Sequence, residues 1–288
     1  MNPGPLGILA GRGELPWIVA DNAIQAGEEV HIFPFTDDEV PSHLTSRCTP
    51  VVLTRMYSSV FASLKKNGIK RLISIGKASK DILYKNPRFD ARTLLLLARM
   101  ENLNDYTIFK HIARELGKIG ITVIEQTTYL GDCFLDAGRY GRKLKDQELE
   151  DVSYGMMYAR EMNRLDIGQT VVVGQRSVIA VECVEGTDQC IRRGGSLYAK
   201  GGAIVCKVAK KNHDRRFDIP VTGESTLQSM FDSGCKVLAI EAGATIVVNK
   251  AEFLKSAKKK GISVISIAES GEGFADAKEL RKLNRRGS

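Results

Sequence analysis

What this 288-residue chain lacks narrows it first. No apolar run approaches the roughly 18–20 residues that cross a bilayer as a helix. The opening stretch, "MNPGPLGILAGRG", carries no basic leader and no long apolar segment, so no secretory signal is read there and a cytoplasmic location is expected. Six cysteines, Cys48, Cys133, Cys183, Cys190, Cys206 and Cys235, include no C-x-x-C pair and no spacing with histidine that suits zinc. Scattered in this way they read as small buried hydrophobes. The four histidines form no H-x-x-x-H pair. No G-x-S-x-G surrounds the serines, which excludes the usual serine-hydrolase elbow. There is no helix-turn-helix, zinc-finger or RNP-like signature, so no nucleic-acid partner is expected.

What is present is charge and alternation. The formal charge is +8, concentrated in "KVAKKNHDRR", "KSAKKKG" and "KELRKLNRRGS". Such a surplus suits anionic partners such as nucleotide phosphates or an anionic membrane surface. With 43% apolar residues the chain can bury a sizeable core. "LGILA", the glycine turn "GRGELP", the helical "WIVADNAIQAG" and "EVHIFPF" make a βαβ unit. "SVFASLKKNG", "RLISIG", "RTLLLLARM", "YTIFKHIARELGKIG" and "ITVIEQ" continue the alternation, which predicts a parallel sheet with helices on both faces. The helix "RTLLLLARM" reads either as core or as an apolar surface.

Residues 1–133 therefore form a first, Rossmann-like domain and the polar 134–146 a linker. A second, mixed α/β domain spans 147–270, and the basic tail 271–288 reads as a loose helix or an irregular end. The second domain opens with the helix "ELEDVSYGMMYAREMNRL". A hairpin of "QTVVVG" and "SVIAVECV" follows, turning at Gly174–Gln175.

Three places carry chemistry. The loop Gly11-Arg12-Gly13 follows the first strand but stops short of a dinucleotide fingerprint, since Pro16 stands where a third glycine is needed. It still places backbone amides and a helix N-terminus where a phosphate could sit. Gly76 and Lys77 follow a second strand and extend that edge. In the second domain, Gly186, Thr187 and Asp188 sit in a loop rich in carboxylates and arginines, a composition suited to Mg²⁺ and phosphate. The third place is "HDRRFDIPVTG" (213–223). An extended backbone there puts Arg216 and Asp218 on one face. The guanidinium would then keep the Asp218 carboxyl ionised.

The stretches "GILAGRGELPWIVADNAIQAG", "RLDIGQTVVV", "AVECVEGTDQCIRR", "KVAKKNHDRRFDIPVTGESTL" and "IEAGATIVVNKAEFL" occur in an order that resembles the LpxI family, UDP-2,3-diacylglucosamine pyrophosphatases. The resemblance covers about residues 5 to 268. It implies an α/β protein of two domains, a Rossmann-like parallel sheet followed by a mixed α/β domain, with the ligand between them. It implies metal-dependent hydrolysis of the pyrophosphate of UDP-2,3-diacylglucosamine to UMP and the diacyl sugar 1-phosphate, in lipid A synthesis. Mg²⁺ or another divalent cation is the implied cofactor and the inner face of the cytoplasmic membrane the implied location. A homodimer is left open. The aspartate of the family's D-[LI]-P-T motif maps to Asp218, implied as catalytic residue and metal ligand with Asp188. The implied substrate contacts are Gly11, Arg12, Gly13, Gly76, Lys77, Gly186, Thr187, Asp188, Arg216 and Thr222. The sequence departs from the motif at Val221, which displaces Thr222. Asp105 stands where the family carries acidic residues. Two other readings compete: an NAD(P)-linked oxidoreductase, from the βαβ start, and a non-catalytic protein that binds nucleotide sugars at a membrane surface.

Overall fold

Leu6–Ala10 (β1) is buried at every position, as a central strand covered on both faces must be. The computed structural model describes residues 4–77, 88–100, 105–210, 214–217, 219–270, 273–274 and 276–285. Strand β1 pairs in parallel with Val30–Pro34 (β2) and Arg71–Ile75 (β3), so Ile8 lies opposite both Ile32 and Ile73. Thr122–Val123 (β4) closes the order β2-β1-β3-β4. Helix Leu15–Gln25 (α1) enters through Pro16, where a missing N–H costs nothing. One wide turn, Met56–Phe61, runs directly into Ala62–Lys66 (α2), so this helical stretch begins earlier than its sequence suggests. Ala91–Ala98 (α3) and Asp105–Lys118 (α4) complete the helices described around this sheet. Phe33, Leu64, Leu72, Phe109 and Leu116 make its core, and Phe217 packs against it. The chain divides accordingly: one unit is Met1–Gly131 with Asp214–Asp218, and the other is Asp132–His213 with Ile219–Ser288.

The second unit is built on a six-stranded sheet. Its strands are Gly138–Tyr140 (β5), Thr170–Gly174 (β6), Ser177–Val181 (β7), Ile204–Lys207 (β8), Val237–Glu241 (β10) and Ser263–Ile267 (β12), in the order β5-β12-β10-β8-β6-β7. Strands β8, β10 and β12 run parallel, while β6 and β5 run against their neighbours. Helix Asp146–Arg164 (α5) covers one face through Leu149, Val152 and Met156. On the other face, Thr187–Leu197 (α6), Glu224–Asp232 (α7) and Lys250–Lys259 (α8) bury Ile191, Leu227 and Phe253. A small ladder joins Val221–Thr222 (β9) to Ile246–Val247 (β11). The α/β class and its two sheets are therefore as the alternation predicts.

Three expectations need correction. The polar stretch 134–146 is not simply a linker: residues 138–140 pair antiparallel with β12, because an edge strand needs backbone groups more than apolar side chains. The basic C-terminal segment is not loose over Ala277–Arg285 (α9). Leu280 is fully buried there, and the Asn284 amide bonds both the carbonyl and the N–H of Leu144 at 2.9 and 3.0 Å. The β6–β7 hairpin turns one residue later, at Gln175 and Arg176, both at φ 52°. That left-handed pair is held by the buried Asp151, whose two oxygens accept their amides at 3.0 and 2.5 Å.

Candidate active site

Gly11 and Gly76 bring the ends of β1 and β3 closer than any side chain allows. A Cβ on Gly11 would lie 2.7 Å from the Gly76 carbonyl carbon. The contact lets Arg12 and Lys77 exchange two backbone hydrogen bonds, each of 2.9 Å. Gly13 sits at φ +105°, a glycine conformation. The predicted group Gly11, Arg12, Gly13, Gly76 and Lys77 is thus one structure at the carboxyl edge of the first sheet, where ligands of open α/β sheets bind.

The anion position of that loop is already met by the protein's own carboxylate. Asp38 accepts from the Gly13 amide at 2.9 Å and from Arg12 Nε at 3.1 Å. Sequence reading missed Asp38, which lies on a different loop 25 residues on. An internal carboxylate on the glycine loop, added to the missing third glycine, removes the basis of the nicotinamide reading.

Residues 214–217 do not run extended. The Phe217 amide donates to the Asp214 carbonyl at 2.8 Å, and the Arg216 amide to Asp214 Oδ1 at 3.1 Å. These are the bonds of a turn closed by an aspartate. Arg216 is engaged by Asp214, with Nε 2.9 Å from Oδ1 and Nη2 2.6 Å from Oδ2. Asp214, two residues back, is thus a carboxylate partner of Arg216 that the extended reading of this stretch did not anticipate. The turn is fastened to the first unit by the bond from the Gln126 amide to the Arg215 carbonyl, 3.0 Å, and by the Phe217 ring. Beside it opens a hollow of about 530 Å³. Arg71, Val123, Glu125, Thr128, Asp214 and Arg216 are among its lining residues. Glu28 holds Arg71 there at 2.5 Å. Its carboxyl is lowered below the usual range by the Arg71 and Tyr129 hydrogen bonds. Asp218 itself lies outside the described residues.

Gly186, Thr187 and Asp188 open helix α6 in the second unit, with Gly186 at φ +83° and no side-chain cap. They are brought together at the carboxyl edge of the six-stranded sheet, where the Thr187 hydroxyl bonds the buried Glu182 and Lys207. Sequence reading passed over these two because they end strands whose other residues are apolar. Thr222 is 1% exposed in β9, and its hydroxyl has no hydrogen-bond partner among the described residues.

The chain matches the LpxI N-terminal domain over residues 5–133 and the LpxI C-terminal domain over residues 136–265. The chain belongs to the LpxI family. It is 28% identical over 274 residues to the UDP-2,3-diacylglucosamine pyrophosphatase LpxI of Caulobacter vibrioides, covering 91% of this chain and 97% of that protein. The match spans both halves of this LpxI-family chain.

One functional expectation is overturned. Metal-dependent hydrolysis through Asp188 and Asp218 requires clustered oxygen ligands. Among the described residues no three His, Cys, Asp or Glu side chains gather so as to hold an ion. The name of the Caulobacter protein carries the pyrophosphatase activity. Metal dependence is not shown, and the supported reading is reduced to diphosphate hydrolysis.

Proposed function

We propose that this chain hydrolyses the diphosphate of UDP-2,3-diacylglucosamine, releasing UMP and the diacylated sugar 1-phosphate in lipid A synthesis. The observation that carries this reading is the family match over both domains, together with the activity in the name of the Caulobacter relative. In the reaction a water oxygen bonds to one phosphorus, and the bond from that phosphorus to the bridging oxygen breaks. The bridging oxygen leaves with the electron pair on the other phosphate.

Asp218 is the carboxylate proposed to orient the water. The turn at 214–217 supports this by fixing the chain immediately before it on the first unit. Since Arg216 is held by Asp214, it is assigned to shaping the segment. Lys77, exposed at the sheet edge, is the cation offered to phosphate.

An anionic membrane surface is the proposed place of work. Among the described residues no helix is long and apolar enough to cross a membrane. Helix α3 supports surface docking, since Leu94 and Leu95 are 58% and 51% exposed and Arg92 and Arg99 beside them are exposed too. Apolar side chains rimmed by cations suit acyl chains under anionic headgroups. The direct experiment is incubation of the purified chain with UDP-2,3-diacylglucosamine and measurement of UMP. Release of UMP with the diacyl sugar 1-phosphate supports the reading, and an unconsumed substrate contradicts it.

A further inference from the structure

The chain passes between its two units at three points, after Gly131, after His213 and after Asp218. On the second unit one short stretch, residues 241–248, takes hold of the chain beside each of them. The Val247 amide donates to the Cys133 carbonyl at 2.7 Å, two residues past the first crossing. The Ile246 and Val248 amides donate to the Pro220 and Thr222 carbonyls at 2.8 and 3.0 Å, just past the third. Ahead of the second crossing the holding group is a side chain. Glu241 Oε2 accepts from the Ala209 amide at 2.9 Å.

Glu241 supplies this acceptor where the ladder ends. Strands β8 and β10 pair in parallel as far as Lys207 and Ile240, and the chain then leaves the sheet. The Val208 amide turns to the Gln169 carbonyl at 3.0 Å, and the buried Ala209 amide is left to the Glu241 carboxylate. A buried amide needs an acceptor, so the reach of this side chain fixes where the chain departs. The other carboxylate oxygen, Oε1, accepts from Arg160 Nη2 of helix α5 at 3.2 Å. Glu241 is 6% exposed. A buried ion pair of this kind adds little to stability over apolar side chains of the same size. Stability alone therefore does not account for a carboxylate here.

We infer that Glu241 is a positioning residue: by accepting the Ala209 amide it works with the Ile246 and Val248 amides to fix both ends of the stretch that carries Asp218. The inference rests on the reading of Asp218 as the carboxylate that orients water. Displacing such a group by about 1 Å costs about a hundredfold in rate. What matters in Glu241 is then its length and an acceptor oxygen, more than its charge.

The test uses the full chain with Glu241→Gln and Glu241→Asp. Rates of UMP release are read at matched folded fraction, UDP binding by calorimetry and the backbone amides by hydrogen exchange. Glu241→Gln keeps the length and an acceptor oxygen and loses the charge. Glu241→Asp keeps the charge and falls one methylene short of Ala209. The expected result is kcat lowered about tenfold or more in Glu241→Asp and within about threefold of the starting protein in Glu241→Gln, with UDP affinity within about threefold in both. A structural ion pair with Arg160 gives the opposite order, because Glu241→Gln sets an uncharged amide against the guanidinium. Exchange at the Ile246 and Val248 amides rises about fivefold or more in Glu241→Asp and stays unchanged in Glu241→Gln, with the β6 amides unchanged in both. Normal kcat in Glu241→Asp, equal losses in the two variants, or UDP affinity falling in step with kcat overturns the inference. If the unsubstituted chain binds UDP but releases no UMP, the hydrolase reading fails and exchange decides: unaltered Ile246 and Val248 amides in Glu241→Asp overturn the inference. If Glu241→Gln does not fold, the rate and the exchange of Glu241→Asp decide.

Discussion

The Phe217 ring lies stacked on Phe109, with centroids 4.5 Å apart and planes 10° from parallel. This contact seats a late segment of the chain in the core of the first unit, one residue before Asp218. Phe217→Ala should lower stability by about 1–3 kcal/mol, the sum of a partly buried ring and its aromatic pair. If the stack also holds Asp218 in place, UMP release falls more than tenfold in buffer where the variant is still folded. Phe217→Tyr should retain most of both. Urea unfolding and initial rates on the same preparations separate the two effects.

The Gly11–Gly76 approach makes a sharper structural prediction. Gly11→Ala puts a carbon 2.7 Å from a backbone carbon that cannot rotate away. The loop must separate, at a cost of about 2–3 kcal/mol. Gly27 is left-handed, at φ +84°, and nothing lies within 4 Å of a Cβ placed there. Gly27→Ala should cost only the local backbone strain, about 1 kcal/mol. Equal shifts in thermal unfolding for the two variants would contradict the crowding seen between β1 and β3.

Asp90 gives a pH signature. Burial pushes its carboxyl up, but the amides and hydroxyls of Ser58 and Thr93 bond the ionised form and hold it at about 2, against an ordinary 3.8. A carboxyl depressed on folding contributes stability that is fully present above pH 3.8 and is lost as pH falls towards 2. Asp90 caps helix α3, accepting from the Thr93 amide at 2.7 Å. Asp90→Asn should therefore be destabilising near neutral pH and flatten the acid limb of the stability curve between those values. Urea midpoints across pH 2 to 6 check this.

The exposed leucines of α3 are a separable prediction. Replacing Leu94 and Leu95 together by Glu should reduce sedimentation with vesicles containing anionic phospholipid at least fivefold, since it removes apolar contact and adds like charge. Hydrolysis of detergent-dispersed substrate should change little. Undiminished vesicle binding would move the membrane contact elsewhere on the surface.

Much of the fold was legible because punctuation and period agreed. Gly11 and Pro16 mark the first turn, and Gly27 stops α1 before β2. The apolar runs 170–174 and 237–241 are strands buried on both faces. The less legible parts depend on contacts that local pattern does not encode. Tyr140 and its neighbours form a strand because β12 offers an edge, and Asn284 docks a basic helix by bonding Leu144 across 140 residues. At the site, Asp218 was visible through the D-[LI]-P-T motif, yet Asp214 curls the preceding segment into a turn that an extended reading of the proline-bearing stretch cannot anticipate. Glu182 and Lys207 meet through three strands and a helix, a juxtaposition with no linear spacing to detect.

The central claim is diphosphate hydrolysis turning on the carboxylate at position 218. Initial rates of UMP release from UDP-2,3-diacylglucosamine by the unsubstituted chain and by Asp218→Asn, at matched folded fraction, test it most directly. The account predicts measurable UMP from the former and a loss of at least a hundredfold in the latter, with UDP binding retained. Asp218→Asn turning over within threefold of the unsubstituted chain would contradict it.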